Sequence, residues 1–256
     1  IGNWGELTAF YSNRGRGVAG GAFSIKRGTL KVGANTFYTP DNMNTSADFL
    51  FSIGRYRAFG EVAVDKDFDI SFIIGAILPL SDIIESSVTI RGYSPDYSAP
   101  YSGGYSSLSR CYNQYGVTLN LYTQLSEKGS LSIISDGVYY PAPRYGVKTP
   151  SSEVEVKGVL EWNFSEGISA YLKGNYRYYG AVPSHKVGVR GHFLREYPIG
   201  VYWSVRGEVV HNSRTDGEFP LGIAAYGECG YVAPSRRWEV AIRGTMWRVN
   251  DWENRI

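Results

Sequence analysis

The sequence is poor in the features that most often announce a chemistry. It has two cysteines, Cys111 and Cys229, with no CxxC spacing, which excludes a cysteine framework. It has three histidines, and no HExxH, no Cys/His spacing and no calcium loop goes with them. His185 and His192 fall on opposite parities of one strand, so they cannot hold a metal from one face. Asp65, Asp67 and Asp69 alternate around a turn, but the ligands that would continue a calcium loop are missing, and a charged turn is expected. Apolar runs are short, and none approaches the roughly eighteen residues of a membrane helix. Neither sign of charge dominates, with 26 basic against 24 acidic residues. Nucleic acids ask for a clustered basic surface, so this balance argues against one as a partner. No GxSxG elbow is present. The paired carboxylates Glu153 and Glu155 stand among Lys157, Lys173 and Arg177, which reads as a salt-bridged surface. No catalytic residue, metal site or cofactor is expected.

What is present is glycine (31), tyrosine (21) and tryptophan (6), a usage that suits strands and turns. The hydrophobic period is two. Val154, Val156, Gly158, Leu160, Trp162 and Phe164 oppose Glu153, Glu155, Lys157, Glu161 and Asn163. Ile168, Ala170, Leu172, Gly174, Tyr176 and Tyr178 oppose Ser169, Tyr171, Lys173, Asn175 and Arg177. The same alternation recurs over 201–211 and 237–248. A helix would scatter these charges around its whole surface.

The test predicts fifteen strands, near 4–13, 17–26, 29–38, 45–53, 57–66, 69–78, 85–94, 113–123, 129–139, 153–164, 168–179, 185–194, 201–211, 220–231 and 237–249. About ten residues is the length of a tilted membrane-crossing strand, whereas soluble strands average five or six. Tight turns are expected at 26–28, 54–56, 126–129, 165–167, 197–200 and 233–236. Longer links are expected at 39–45, 95–112, 140–152, 180–184 and 212–219, with 66–69 short by exception. Short turns at one rim and long loops at the other characterise outer-membrane barrels. Trp162, Phe164, Tyr176, Tyr178, Trp203 and Trp238 are placed close to short turns, as an aromatic girdle. The fold expected is an all-β, antiparallel up-and-down transmembrane barrel of about 14–18 strands, a single domain over 1–256 in the bacterial outer membrane. The last residues read as loop, and an even strand count is the bacterial habit, so the chain is expected to be incomplete at both ends.

By parity the lumen receives Glu153, Glu155, Lys157, Lys173, Arg177, Arg190, Arg206, Glu208 and Arg243, together with Glu161, Lys186 and Glu239. The mixed signs predict internal ion pairs, where a strongly selective pore would show a one-signed ring. Tyr97, Tyr101, Tyr105 and Tyr112 lie in a long aromatic loop that either grips a sugar or protein at the surface or folds into the barrel mouth. Gly158, Gly174, Gly191, Gly207, Gly227 and Gly244, with Gly60 and Gly92, interrupt the outward apolar stripe. They form either a curvature device or a smooth belt against which a partner packs. Cys229 shares the outward parity and Cys111 sits in a surface loop, so no disulfide between them is expected.

Phe59-Gly60-Glu61-Val62-Ala63-Val64-Asp65, Arg91-Gly92-Tyr93-Ser94-Pro95-Asp96-Tyr97 and Pro141-Ala142-Pro143-Arg144-Tyr145-Gly146-Val147 carry a resemblance, together with Pro150-Ser151-Ser152 and the end from Asn250 to Ile256. On these motifs the chain resembles the Bacteroidota outer-membrane barrels characterised by an N-terminal helix–hairpin–helix (ComEA-like) region. That region, which would imply DNA contact, is not in this sequence, and no nucleic-acid partner is expected for this segment. The resemblance implies an outer-membrane location and no settled activity. The function expected from the residues is a non-enzymatic barrel in an outer-membrane assembly, with outer-membrane lipid and protein subunits as partners. The alternative is a stand-alone diffusion porin for small solutes. A lipid-acting enzyme and a DNA-uptake component come behind both.

Overall fold

A computed structural model describes residues 4–12, 17–99, 104–108, 111–144, 146–148, 150–181, 183–214, 221–233, 235 and 238–249. Tyr101, the turn residues Pro234 and Arg236, most of the 212–219 link and the segment from Asn250 onward lie outside them. The strands are β1 (Trp4–Ser12), β2 (Val18–Arg27), β3 (Leu30–Tyr38), β4 (Met43–Ile53), β5 (Tyr56–Asp65), β6 (Ile70–Pro79) and β7 (Ile84–Tyr93). They continue with β8 (Gln114–Ser126), β9 (Gly129–Tyr140), β10 (Ser151–Ser165) and β11 (Ile168–Tyr179). The last four are β12 (Ser184–Glu196), β13 (Val201–Arg214), β14 (Leu221–Val232) and β15 (Glu239–Val249). Hydrogen bonding follows chain order through all 15 strands with no crossover. The fold is all-β, antiparallel and up-and-down.

Several strands outrun the apolar alternation. β8 continues to Ser126, β10 begins at Ser151 and β13 runs to Arg214. The alternation marks only the part of a strand that meets lipid. Ladder hydrogen bonds continue beyond it, where polar side chains on either face cost little.

The structure falls into two compact units, residues 1–119 with 136–152, and residues 120–135 with 153–256. In unit 1 the turns 28–29, 54–55 and 80–83 lie at one end of the strands and the links 39–42, 66–69, 94–113 and 141–150 at the other; in unit 2 the turns 127–128, 166–167 and 197–200 lie at one end and the link 180–183 at the other. Gly28, Gly54 and Gly167 take positive φ in two-residue hairpin turns, as the twist of the flanking strands demands. A Cβ on Gly167 would also strike the carbonyl oxygen of Glu196. Trp162, Phe164, Trp203 and Trp238 stand at the tight-turn end as expected, and Phe193 packs on Trp203 at 5.3 Å. Tyr176 and Tyr178 do not. They end β11 beside the 180–183 link, where both pack on His185, so unit 2 carries aromatic groups at both ends.

Each unit is apolar on one face and polar on the other. In unit 1, Leu7, Phe23, Val32, Phe49, Phe51, Val62, Ile74 and Ile90 are exposed. In unit 2, Leu172, Val189, Val205, Ile223 and Ile242 are exposed, Ile242 at 74%. The largest fully buried side chains are Arg91, Tyr140, Gln114 and Asn113, three of them polar. A soluble protein reverses this order, because contiguous apolar surface of that extent drives association in water. With hydrocarbon as the outer solvent, the arrangement follows directly.

The glycine contrast gives a test in urea unfolding of the detergent-folded protein. Gly167→Ala combines left-handed strain with a backbone clash and should cost about 2 kcal/mol or more. Gly174 has nothing within 4 Å of its would-be Cβ, so Gly174→Ala should be neutral or stabilise by up to about 1 kcal/mol. Equal costs would contradict the register of β10–β12.

Candidate functional site

The polar face is where chemistry is possible, and each unit builds it differently. In unit 2 it is a lattice of ion pairs, across strands except for one pair within β10. Arg177 donates to Glu153 at 2.8 Å, and Lys157 to Glu155 at 2.7 Å. Arg190 holds Glu208 with two hydrogen bonds of 2.9 Å, in the fork geometry that suits a carboxylate. Arg243 pairs with Glu228, and the Tyr202 hydroxyl lies between Glu239 at 2.6 Å and Glu228 at 3.1 Å, with one proton to donate to either. Arg206 lies opposite His192 and stacks over the Tyr226 ring at 4.0 Å. Lys173 lies opposite Arg190. All nine of the expected lumen charges share this face. Glu228 was not among them, although its place next to outward Cys229 carries the signal.

In unit 1 the polar face is organised around Arg91, which is wholly buried. Its guanidinium donates to both Asp136 oxygens at 2.8 and 2.9 Å, to Thr118 Oγ1 at 2.8 Å and to Ser107 Oγ at 2.8 Å. Thr118 Oγ1 in turn donates to Asp136 at 2.6 Å. A side chain at Gly116 would meet the guanidinium carbon at 2.8 Å, so glycine is what lets Arg91 lie flat there. Sequence reasoning missed this cluster. Parity gives the face of Arg91 but not a partner 45 residues away.

The cluster also holds part of the aromatic loop, although Tyr105 stays exposed. Ser107 and Tyr105 both belong to it, and the Tyr105 ring sits 4.6 Å from the Arg91 guanidinium. Tyr93 donates to the Tyr105 carbonyl at 2.9 Å. At the loop's start, Asp65 caps its own turn through the Asp67 and Asp69 amides, and its second oxygen accepts from Ser98 at 2.9 Å. Asn42 donates to the Ser98 carbonyl at 3.0 Å. Tyr97 is buried at 6% and donates to Asn44, so it is no free surface aromatic. Tyr112 is half-buried. At the loop's end Asn113, at φ 50°, exchanges two hydrogen bonds of 2.9 Å with the backbone of Ala142. The described parts of the loop, 94–99, 104–108 and 111–113, are therefore fastened to the polar face of unit 1.

Outside the strands, burial raises the Tyr97 phenol above its ordinary value. Desolvation, then the carboxylates of Asp65, Asp96 and Asp67, raise the Asp69 carboxyl. The described residues contain no group of three or more His, Cys, Asp or Glu able to hold a metal. Both cysteines are free. Cys229 is exposed on the apolar face, but Cys111 is buried and donates to the Gly104 carbonyl at 3.3 Å, so it is not the surface thiol expected.

The outward glycines divide by unit. In unit 1 Phe49 covers Gly60, and Phe72 with Tyr115 covers Gly92. In unit 2 Gly158 faces Gly174, Gly191 faces Gly207, and Gly227 faces Gly244. Nothing lies within 4 Å above any of these six.

Removing the two ends of the Arg91 cluster should differ in kind. Asp136→Ala strands a buried guanidinium and should cost about 3–5 kcal/mol in urea unfolding. Ser107→Ala should cost about 1 kcal/mol while speeding amide exchange over 104–108. Unchanged exchange in Ser107→Ala would contradict the loop's anchorage.

No protein-family model matches the chain, and no curated protein is similar to it in sequence. Solved structures do share its fold. OccAB1 of Acinetobacter baumannii matches at TM-score 0.53 and 8% identity, covering 97% of this chain and 89% of that one. A BenF-like porin from Pseudomonas fluorescens Pf-5 matches at 0.53 and 8%, covering 98% and 93%. OccK11 (OpdR) of Pseudomonas aeruginosa matches at 0.52 and 8%, covering 96% and 89%. At such identity the likeness concerns the fold alone. That fold is a transmembrane β-barrel, an architecture of the bacterial outer membrane.

Proposed function

We propose that the chain is a non-enzymatic outer-membrane channel that passes small polar solutes, the second of the two functions expected from the sequence. The observation that carries it is the half-exposed, ion-paired polar face of β10–β15, set against an apolar face of equal extent. Charges neutralised across strands keep a polar passage wet without a deep well for either sign. The loop anchored by Arg91 packs Tyr97 and Cys111 on Ala63 and Tyr93 and so narrows access to the polar face of unit 1. The fold shared with a BenF-like porin supports the same reading.

A barrel that serves an assembly is the second reading, and the open glycine pairs of unit 2 favour it. Small residues allow close approach in lipid, where packing replaces the hydrophobic effect. Here the partner is a protein surface lying flush on Gly158, Gly174, Gly191, Gly207, Gly227 and Gly244.

Two measurements separate the readings. The purified protein, folded in detergent and added to a planar bilayer, should give discrete conductance steps with weak ion selectivity. A folded protein that gives none contradicts the channel. The double variant Gly174→Leu, Gly207→Leu should fold normally, and under the assembly reading it should release a protein that co-purifies with the wild type. Retention of every such protein removes that reading.

A further inference from the structure

The apolar face of unit 2 carries one charged group that hydrocarbon cannot solvate. Arg195, near the end of β12, pairs in register with Ile168 on β11 and Trp203 on β13, which places it on the outward side. Among the described outward residues of β10–β14 it is the one arginine or lysine. No carboxylate of the described residues meets its guanidinium, and its Nε is enclosed without a hydrogen-bond partner. The Tyr197 ring lies 4.9 Å from the guanidinium carbon and covers one of its faces. Guanidinium donors lie in the plane of the group, so a ring on the face leaves the N–H edge free for an anion.

The depth of Arg195 decides which anion it meets. It stands just before Tyr197, where the 197–200 turn begins, at the end where Phe193 packs on Trp203 and Tyr231 on Trp238 at 5.4 Å. Tryptophan and tyrosine gather at the level of the lipid headgroups, and the short turns of outer-membrane barrels face the periplasm. The anion at that level of an apolar face is the phosphodiester of a phospholipid, whose oxygens suit the guanidinium fork. Further from the turn along the same two strands, Val189 and Val205 expose apolar surface for acyl chains. An amphiphile uses both parts. A water-soluble anion has no use for the second, and an uncharged lipid has none for the first.

We infer that Arg195, with Tyr197 and Trp203 beside it, is a binding site for one phospholipid of the periplasmic leaflet, held through its phosphodiester. The free edge of the guanidinium takes the phosphate oxygens, and the Tyr197 ring covers the face of the group. The site depends on the outer-membrane placement of the chain and not on the channel reading, since lipid is held on the face away from the solute. A folded protein that never conducts therefore keeps the site.

The test is native mass spectrometry of the protein purified in neutral detergent, stripped of lipid and titrated with dioleoylphosphatidylglycerol, dioleoylglycerol, lipid A and inorganic phosphate. The first phosphatidylglycerol should bind at least fivefold more tightly than dioleoylglycerol, which has the same chains and no phosphate, and more tightly than lipid A. Inorganic phosphate in tenfold excess should not displace it. Arg195→Gln should weaken phosphatidylglycerol at least fivefold, down to the level of dioleoylglycerol. Arg195→Lys keeps the charge without the fork and should fall between. Lys186→Gln, which removes a cation from the opposite face, should leave the binding unchanged. Heat-modifiable gel migration confirms that each variant is folded. Equal binding of phosphatidylglycerol and dioleoylglycerol, unaffected binding in Arg195→Gln, or the same loss in Lys186→Gln would overturn the inference. Tighter binding of lipid A would overturn the assignment to the periplasmic leaflet, and displacement by inorganic phosphate would make the ligand the free ion and overturn the lipid.

Discussion

Every feature of this protein follows from one constraint: within hydrocarbon, no backbone N–H or C=O can be left without a partner. An uninterrupted antiparallel ladder meets it, and the chain-order pairing of 15 strands is the simplest such ladder. Once the backbone is satisfied strand to strand, only the side chains distinguish the two faces. The period-two alternation sends Leu172, Val189, Val205 and Ile223 to one side, and Lys173, Arg190, Arg206 and Glu208 to the other. The polar side must then keep its charges in water or pair them. Unit 2 does both, with Arg190 on Glu208 and Arg177 on Glu153, while Lys173 and Arg206 meet no carboxylate among the described residues.

The two units solve the polar face in different ways. Unit 1 leaves Glu6, Thr8, Asn35 and Glu61 exposed but covers the region of Arg91 with its own chain: Arg91 is fully enclosed, and Asp136, Thr118 and Ser107 share its donors. Such a cluster is tolerable only because almost every donor is matched, since an unmatched buried charge costs several kcal/mol. Unit 2 leaves its face open and spreads the pairing across neighbouring strands. The glycines divide the same way. Gly60 and Gly92 of unit 1 lie beneath phenylalanines from the adjacent strand, and Gly158, Gly174, Gly191, Gly207, Gly227 and Gly244 of unit 2 face one another with nothing above.

Much of this was legible in the sequence, for a physical reason. Alternation reports which face a residue takes, so the strand series, the inward charges and the outward position of Cys229 could be read without knowing any contact. Register and long-range pairing are another matter. That Gly158 meets Gly174 depends on where the 166–167 turn falls, and that Arg91 meets Asp136 depends on two intervening hairpin connections. Tyr176 and Tyr178 were assigned to the wrong end because a girdle can form at either interface, and the aromatics alone do not say which. Cys111 was expected in a surface loop, and for Tyr97 both the surface and the barrel mouth stayed open, because composition does not say what a serine- and tyrosine-rich loop packs against. Asp65, Asn42 and Asn113 instead fasten that loop down.

The central claim is that one face of this sheet meets hydrocarbon and the other meets water. Spin labels placed one at a time from Ile168 to Tyr179 in β11, in the vesicle-reconstituted protein, test it most directly. Collision with oxygen, which concentrates in lipid, should peak at Ala170, Leu172, Gly174 and Tyr176. Collision with a water-soluble nickel chelate should peak at Tyr171, Lys173 and Asn175. Two profiles in antiphase with a period of two residues are what the account predicts, and profiles that rise and fall together would contradict it.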